Sequence, residues 1–383
     1  MSGLPFEYAV RNLGRSPSRL AMSAGGSMLV VLLVIAAAAF ITGMQKSLRV
    51  SGSPRNVLLM GAGSEESVER SEIKVRTASI AAASIREIDL VAGTEAVSPE
   101  IHAAIPVTSP GGAAVNTLVR GVTPAAFLVH RRVRLDAGRL PRAGADEIAM
   151  GRLAAGGLGD PGIGDRVVLD DRAFTITGVL GSDGGVVEGE IWMPLSDLMV
   201  LSQRDTLSCV VLRMQDTSAT PAEIFASTRL DLELTAIPEV EYFASLDEFF
   251  GPVRLMVIAT AILVAAGGVV GGLNTTYAAF ASRVREIGTL RTLGYSRRAI
   301  VNNLLEESIL MSSIGGVLAA GIALLLLDGL TVRFSMGAFG LSVGPAEIAL
   351  GLGSGLLLGI VGALIPAVRC LRLPVPEALR AAG

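Results

Sequence analysis

Residues 255–282 read LMVIATAILVAAGGVVGGLNTTYAAFAS, 28 positions without a charged side chain, closed by Arg254 on one side and Arg283 on the other. A helix needs about 20 mainly apolar residues to cross ~30 Å of hydrocarbon, so this stretch is long enough to span a membrane. Three more stretches share the property: Leu20–Gln45 with 26 residues, Ser308–Leu327 with 20 and Ile348–Val368 with 21. Four transmembrane helices follow. The first could instead be a secretory leader, since Ala36–Ala39 offers small-residue cleavage triplets. The segment before it is long and carries Arg11, Arg15 and Arg19, which favours a retained span.

Composition agrees. Of 383 residues 51% are hydrophobic, 17% charged and 4% aromatic, and the mean hydropathy is +0.57. That excludes a disordered chain and a small disulfide scaffold. The net charge of −3 argues against a nucleic-acid partner. Two cysteines, Cys209 and Cys370, provide neither a disulfide framework nor a cysteine metal site. The two lysines, Lys46 and Lys74, do not follow a glycine, so the sequence holds no phosphate loop. Any ATP, with its Mg, must then sit on another chain, and no cofactor is expected in this one.

Lys and Arg counts in the short loops set the orientation. Eleven arginines fall before the first span, between the second and third, and after the fourth, against Arg333 alone in the short loop between the third and fourth. Both termini are therefore expected in the cytoplasm. The 207 residues of 46–252 are expected outside, with 19 Lys/Arg and 28 Asp/Glu, enough chain to bury a core of its own.

This outer segment reads as α+β in two halves. A strand is expected over Asn56–Met60 and a helix over Thr77–Leu90 with Thr77 as N-cap. Ser109-Pro110-Gly111-Gly112 separates Ala96–Val107 from Ala114–Val122 as a hairpin. Strands follow over Glu147–Met150, Arg166–Leu169, Ala173–Leu180 and Ser208–Met214. Helices are expected from Pro194 to Ser202, over Pro221–Thr228 and over Ser245–Phe250. Catalytic signals are weak. His102 and His130 stand isolated, and no H-E-x-x-H or G-x-S-x-G occurs. The acid pairs Asp146/Glu147, Asp170/Asp171 and Glu188/Glu190 read as turns or solvated faces. The basic run from His130 to Arg134 reads as a solvated or ion-paired face rather than a contact for anionic lipid.

Residues 283–298 carry more information. Val284, Ile287, Leu290 and Leu293 recur every third residue among arginines, which suits an amphipathic helix at a membrane surface. Gly294 suits its C-terminal stop, and Ser296 the N-cap of the next helix. The run R-E-I-G-T-L-R-T-L-G-Y-S-R-R at 285–298 resembles the hallmark of FtsX-like ABC transporter permeases, a family that includes MacB-type exporters. The ending Pro366 to Arg380 resembles the family's closing motif, with Cys370 where alanine is common. Tyr8 to Pro17 is similar to the amphipathic helix before the family's first span. In the outer segment, 121–124, 137–141 and 147–179 resemble the MacB-type periplasmic core domain.

The resemblance implies a membrane α-helical fold with four transmembrane helices and a large extracytoplasmic α+β domain between the first and second. The organisation expected is an N-terminal amphipathic helix over 1–21, spans over 22–45, 253–277, 304–329 and 347–368, the outer domain over 46–252, a coupling segment over 278–303, an outer loop over 330–346 and a tail over 369–383. It also implies a homodimer in a bacterial inner membrane, working with a separate ABC-type ATP-binding subunit and with a periplasmic adaptor as a further partner. Arg283, Arg285, Glu286, Ile287, Gly288, Leu290, Arg291, Leu293 and Gly294 would dock on that ATPase. Glu286 and Arg291 would be the polar contacts and Gly288 a point of close approach, while the apolar face meets membrane lipid. The function implied is the permease subunit of an exporter, which passes ATP-driven movement to the outer domain. A signalling permease that activates a cell-wall hydrolase, and a membrane-tethered sensor without ATPase, are the alternatives. Gly267, Gly268, Gly271 and Gly272, and Gly351, Gly355 and Gly359, have the spacing that lets helices approach closely. Glu306 and Glu307 at the head of the third span read as hydrated near the interface.

Overall fold

The chain forms two units in the computed structural model, which describes residues 6–14, 17–109, 114–156, 158–334 and 337–371. One comprises Met1–Thr42, Pro252–Leu330 and Leu341–Gly383, and the other Gly43–Gly251 and Thr331–Gly340. In chain order the main elements are α1 (Phe6–Gly14), α2 (Pro17–Ser51), β1 (Asn56–Gly61), α3 (Thr77–Ser84), β2 (Val97–Thr108), β3 (Val115–Val122), β4 (Arg134–Gly138), β5 (Glu147–Gly151), β6 (Arg166–Leu169), β7 (Arg172–Gly181) and β8 (Ile191–Pro194). They continue with α4 (Leu195–Ser202), β9 (Cys209–Arg213), α5 (Thr220–Thr228), β10 (Leu234–Pro238), α6 (Glu239–Phe249), α7 (Gly251–Ala281), α8 (Val284–Thr292), α9 (Arg297–Ile322), β11 (Thr331–Phe334), β12 (Gly337–Gly340) and α10 (Pro345–Leu371).

The first unit is helical. Its four long helices, α2, α7, α9 with the π turn Ala323–Leu327, and α10, are each long and apolar enough to cross a membrane. Helices without a polar face cannot be sorted by amphipathicity, and small residues set their packing instead. A Cβ on Gly315 of α9 would lie 2.1 Å from Ser27 Oγ and 2.3 Å from the Ala24 carbonyl, so α2 and α9 cross where only glycine fits. α7 differs: none of its apolar window is buried within the chain.

The second unit is built on a ten-stranded sheet. Six strands close a ring in the order β2, β3, β8, β5, β7, β6 and back to β2. Closure removes free edges and encloses Ile148, Met150, Val167, Phe174 and Ile176. The twelve-residue β2 also serves a second, antiparallel sheet. Its first four residues pair with β9, and β9–β1–β10 extends from there. This shared strand is the physical form of the two halves read from sequence.

Several expectations need correction. The helix expected to reach Leu90 stops at Ser84, because Ile85 turns extended (φ −103°) and Ile88 bridges to Met214, and both are buried in the core. Its N-cap is Arg76, not Thr77. Pro194 ends β8 and caps α4 rather than starting it. The helix expected from Ser245 begins at Glu239. The loop expected over 330–346 contains the hairpin β11–β12, which packs on the outer domain. Its arginine, Arg333, donates to Thr117 Oγ1 at 3.2 Å and to the Ala154 carbonyl. Gly189 makes room for it, since a Cβ there would lie 2.4 Å from Ala338 N. Pro110, Gly111 and Gly112 of the expected turn, and the tail from 372, lie outside the described residues.

Candidate functional site

Two places carry the functional argument, one in each unit. In the helical unit, Gly294 (φ +90°) ends the α8 segment and Ser296 Oγ accepts from Ala299 N at 3.2 Å to open α9. Within this frame Arg283 donates to Glu286 at 2.9 Å and to Glu307 at 2.8 Å. Asn12 Nδ2 of α1 donates to the same Glu307 oxygen at 2.9 Å, and Tyr8 OH donates to Glu286. Glu307, expected to be hydrated, is instead 2% exposed and locked to two other elements.

The coupling residues divide by face. Val284, Ile287 and Gly288 are buried, and Ile287, with Leu290 beside it, packs on Phe280, Ile300 and Leu304 of the chain itself. The apolar face therefore meets neighbouring helices and not lipid alone. Glu286 is half-buried against Arg283 and Tyr8, so it does not present a free carboxylate. Arg285, Leu293 and Gly294 are exposed, and Arg291 is intermediate. Leu293 leaves the apolar face for a geometric reason. Steps of three on a helix of about 3.6 residues per turn drift backwards, so the fourth residue of the series stands roughly opposite the first.

The glycines divide in the same way. Added Cβ atoms at Gly268, Gly351, Gly355 and Gly359 would lie 2.4, 2.4, 2.8 and 2.3 Å from Val30, Ile35, Val31 and Ser312. Gly272 meets Leu358 only at 3.9 Å, and Gly267 and Gly271 meet nothing within 4 Å.

In the outer domain a cluster of buried ionisable groups sits where the two sheets share β2. Strand register places it. Glu100 and His102 are two apart on β2 and so face the same side. Cys209 of β9 stands opposite Glu100, and Arg120 of β3 opposite His102. Arg120 in turn pairs with Trp192 of β8, two residues after Glu190. Arg120 bridges Glu100 at 3.1 Å and Glu190 at 2.6 Å, and Trp192 Nε1 donates to Glu190 at 2.8 Å. His130, after the helical turn Ala126–Val129, reaches Glu100 at 2.7 Å and faces Glu239 at 3.8 Å.

Charge in this cluster is set by pairing against burial. Burial penalises the Glu100 carboxylate, but His130, Arg120 and the hydrogen bonds outweigh it and hold the group well below its ordinary value. Burial also opposes a charged His130, yet Glu100 raises it above the ordinary histidine value. Burial, then the Arg120 charge, keeps His102 low, so its neutral form is favoured. Burial likewise raises Glu239.

Glu100, His102 and Cys209 could offer metal ligands, since their donor atoms lie within 4.8 Å of one another. The fit is poor. Arg120 occupies Glu100 Oε2, and burial with the Glu100 charge keeps the Cys209 thiol protonated. The same protonation argues against a Cys209–His102 nucleophile, whose atoms are 3.9 Å apart. Two cavities adjoin the cluster and share Arg120, His130 and Glu239 in their linings. One has a volume of about 90 Å3 and the other, of about 240 Å3, is also lined by Arg55, Arg131, Arg132 and Arg213.

The sequence reading missed this cluster because it took the histidines as isolated. One signal was present: Ser98, Glu100 and His102 alternate along a strand otherwise rich in apolar residues, which marks a polar inner face. Glu147, Glu188 and Glu190 were likewise expected in turns or at solvated faces. They are buried and bound to Arg139 and Arg142, Arg152, and Arg120.

Known proteins place this architecture. Residues 20–226 match the MacB-like periplasmic core domain, and residues 258–375 the FtsX-like permease C-terminal domain. The macrolide export ATP-binding/permease protein MacB of Hyphomonas neptunium is 26% identical over 61% of this chain and 38% of its own length. The MacB protein of Bdellovibrio bacteriovorus is 24% identical over 97% of this chain and 60% of its own length. The chain thus spans only part of each of these relatives. The uncharacterized ABC transporter permease YvrN of Bacillus subtilis is 36% identical over 29% of this chain and 26% of its own length. Among solved structures, the periplasmic region of MacB from Actinobacillus actinomycetemcomitans aligns at a TM-score of 0.40 and 12% identity, over 53% of this chain and 97% of that one. With a core domain of one kind between its first two long apolar helices and an FtsX-like C-terminal region after it, the chain belongs to the MacB-type, FtsX-like ABC transporter permease family.

Proposed function

We propose that this protein is the non-catalytic permease subunit of an ABC exporter in a bacterial inner membrane, with both termini in the cytoplasm. A separate ATP-binding subunit docks on the exposed side of α8, and its ATP cycle moves α7, α9 and α10. The outer domain receives that movement and acts on cargo, with a periplasmic adaptor as a further partner. A second copy completes the permease by packing along α7, whose Gly267 and Gly271 leave an open small-residue face.

One observation carries the reading. A MacB-like core and an FtsX-like C-terminal region occur together in this chain, and its 383 residues hold no phosphate loop, which supports an ATP-binding subunit as partner. The docking role of α8 is supported by its rigid support from Tyr8, Asn12 and Glu307. The test is co-purification from the native membrane. An ATP-binding subunit should accompany the chain, the complex should hydrolyse ATP, and the isolated chain should not bind ATP at micromolar concentration. Saturable ATP binding by the chain alone would overturn the proposal.

A further inference from the structure

Four residues, Gly52 to Arg55, join the end of α2 to β1, and one, Phe250, joins α6 to α7. The antiparallel pairing of β1 with β10 sets Val57 opposite Pro238, which brings Asn56 beside Glu239, the first residue of α6. The chain leaving the first long apolar helix and the chain leading to the second therefore meet at one place. That place lies wholly within the outer domain.

Glu239 is 4% exposed and bridges the two chain segments. Its Oε2 accepts from the Ser53 amide at 2.8 Å and from Asn56 Nδ2 at 2.9 Å. Its Oε1 lies 3.8 Å from His130 Nδ1, and Glu100 holds the other nitrogen of that ring. Further contacts fix the last turn of α2. Its final carbonyls have no partner within the helix, and Arg132 donates to those of Val50 and Gly52. Ser51 Oγ accepts from the Val186 amide at 2.8 Å. Gly52 sits so close to α6 that a Cβ would lie 3.1 Å from Val240 Cα.

We propose that Glu239 is the positioning residue of a rigid joint, which makes the end of α2, the start of β1 and the start of α6 one body. Its two oxygens face donors from two other segments, the lead into β1 on one side and His130 on the other, and burial keeps water from replacing them. Through His130 the joint is tied to Glu100 on β2, the strand that both sheets share. The consequence for movement rests on the exporter reading. Displacements arriving along α2 and along α7 then enter the outer domain at one point, and a loosened joint separates ATP hydrolysis from the response of that domain.

The test is hydrogen exchange read by mass spectrometry on the full chain in a non-ionic detergent. No ATP-binding subunit is present, so the outcome is independent of the exporter reading. Glu239→Ala removes the acceptor. Exchange over the last turn of α2 and the first turn of α6 should speed up about tenfold, while the ring strands β5 and β7 keep the wild-type rate. Glu239→Gln keeps one acceptor oxygen for Ser53 and should lie between the two. Arg132→Gln, at an exposed side chain, should speed the α2 turn alone, and it serves where Glu239→Ala does not fold. The rescue is covalent. A Cβ on Gly185 would lie 3.0 Å from Ser51 Oγ, which puts the two Cβ atoms within disulfide range. Its other close neighbour, Ser182 Oγ at 2.9 Å, makes no hydrogen bond among the described residues and rotates away. In Glu239→Ala, the pair Ser51→Cys and Gly185→Cys should restore slow exchange at the α2 turn when oxidised and lose it on reduction. Wild-type exchange at both turns in Glu239→Ala, equal acceleration in β5 and β7, or no rescue by the oxidised pair would each overturn the assignment.

Discussion

His130 Nε2 lies 2.7 Å from Glu100 Oε1, across thirty positions of sequence, and both side chains are buried. The pair sits among Arg120, His102, Glu190, Cys209 and Glu239, which together hold three strands and the start of α6 at one point. A buried pair of this kind is costly to break, because the remaining partner stays charged without a counterion.

The first prediction concerns pH. His130 is raised above 6.5, so its contribution to stability is full below that value and is lost as pH rises through the folded value. Glu100 is held below 4.5, so its contribution is full above that value and is lost as pH falls through the depressed one. His102 is lowered and adds a cost of protonation in acid. Stability should therefore peak at mildly acidic pH and fall on both sides. The single tryptophan, Trp192, is buried on Glu190 and reports the transition by fluorescence. His130→Gln should remove the alkaline fall. If the wild-type melting temperature still rises from pH 6.5 to 9, the assignment of charge is wrong.

The second prediction separates Glu100 from surface acids. Glu100→Gln leaves Arg120 and His130 short of a counter-charge and should cost about 3–5 kcal/mol. Glu241→Gln, at an exposed position of α6, should shift the melting temperature by little. Equal effects of the two would show that the cluster is solvated in solution.

The third prediction uses the glycines. Gly315→Ala drives a methyl into α2 and should destabilise the helical unit by about 1–3 kcal/mol. Gly267→Ala meets open space and should leave the single chain intact. Gly267→Leu should weaken dimers in native electrophoresis if α7 faces the second copy. Dimers resistant to that change would place the contact elsewhere.

The fourth prediction addresses orientation. In intact cells with Cys370→Ala, a thiol at Leu230, which is 79% exposed, should react with an impermeant label. A thiol at Ser296 should react only after permeabilisation. Native Cys209 is buried and should stay silent. Labelling of Ser296 from outside would invert the topology.

Legibility in the sequence followed the range of the interactions. Long apolar runs show themselves, because a span is decided by residues next to one another. The β2–β3 hairpin was also readable, since its two strands follow one another closely in the chain. The cluster was not, because Cys209 and Glu190 reach Glu100 and Arg120 of that hairpin only through pairings with strands far along the chain, and His130 folds back from the turn after it. Glu307 was misread for the same reason: its partners Asn12 and Arg283 come from other elements. Ile85 and Ile88 continued a helical pattern, but the core took them as extended chain.

The last prediction concerns α8. The sequence pattern suggested that Glu286 and Gly288 touch the ATPase, yet both turn towards the chain's own helices. The outward side carries Arg285, Thr289 and Leu293. A docking helix must satisfy two demands, a fixed pose and an available face, and these residues divide them. Leu293→Asp should leave the melting temperature unchanged and abolish co-purification of the ATP-binding subunit. Glu286→Lys should act differently. It breaks the links to Arg283 and Tyr8, so it should lower the melting temperature and weaken association only as the pose of α8 is lost. Measuring both quantities for each variant separates the roles. Normal association in Leu293→Asp, with loss in Glu286→Lys at an unchanged melting temperature, would return the contact to the inward face and overturn the division.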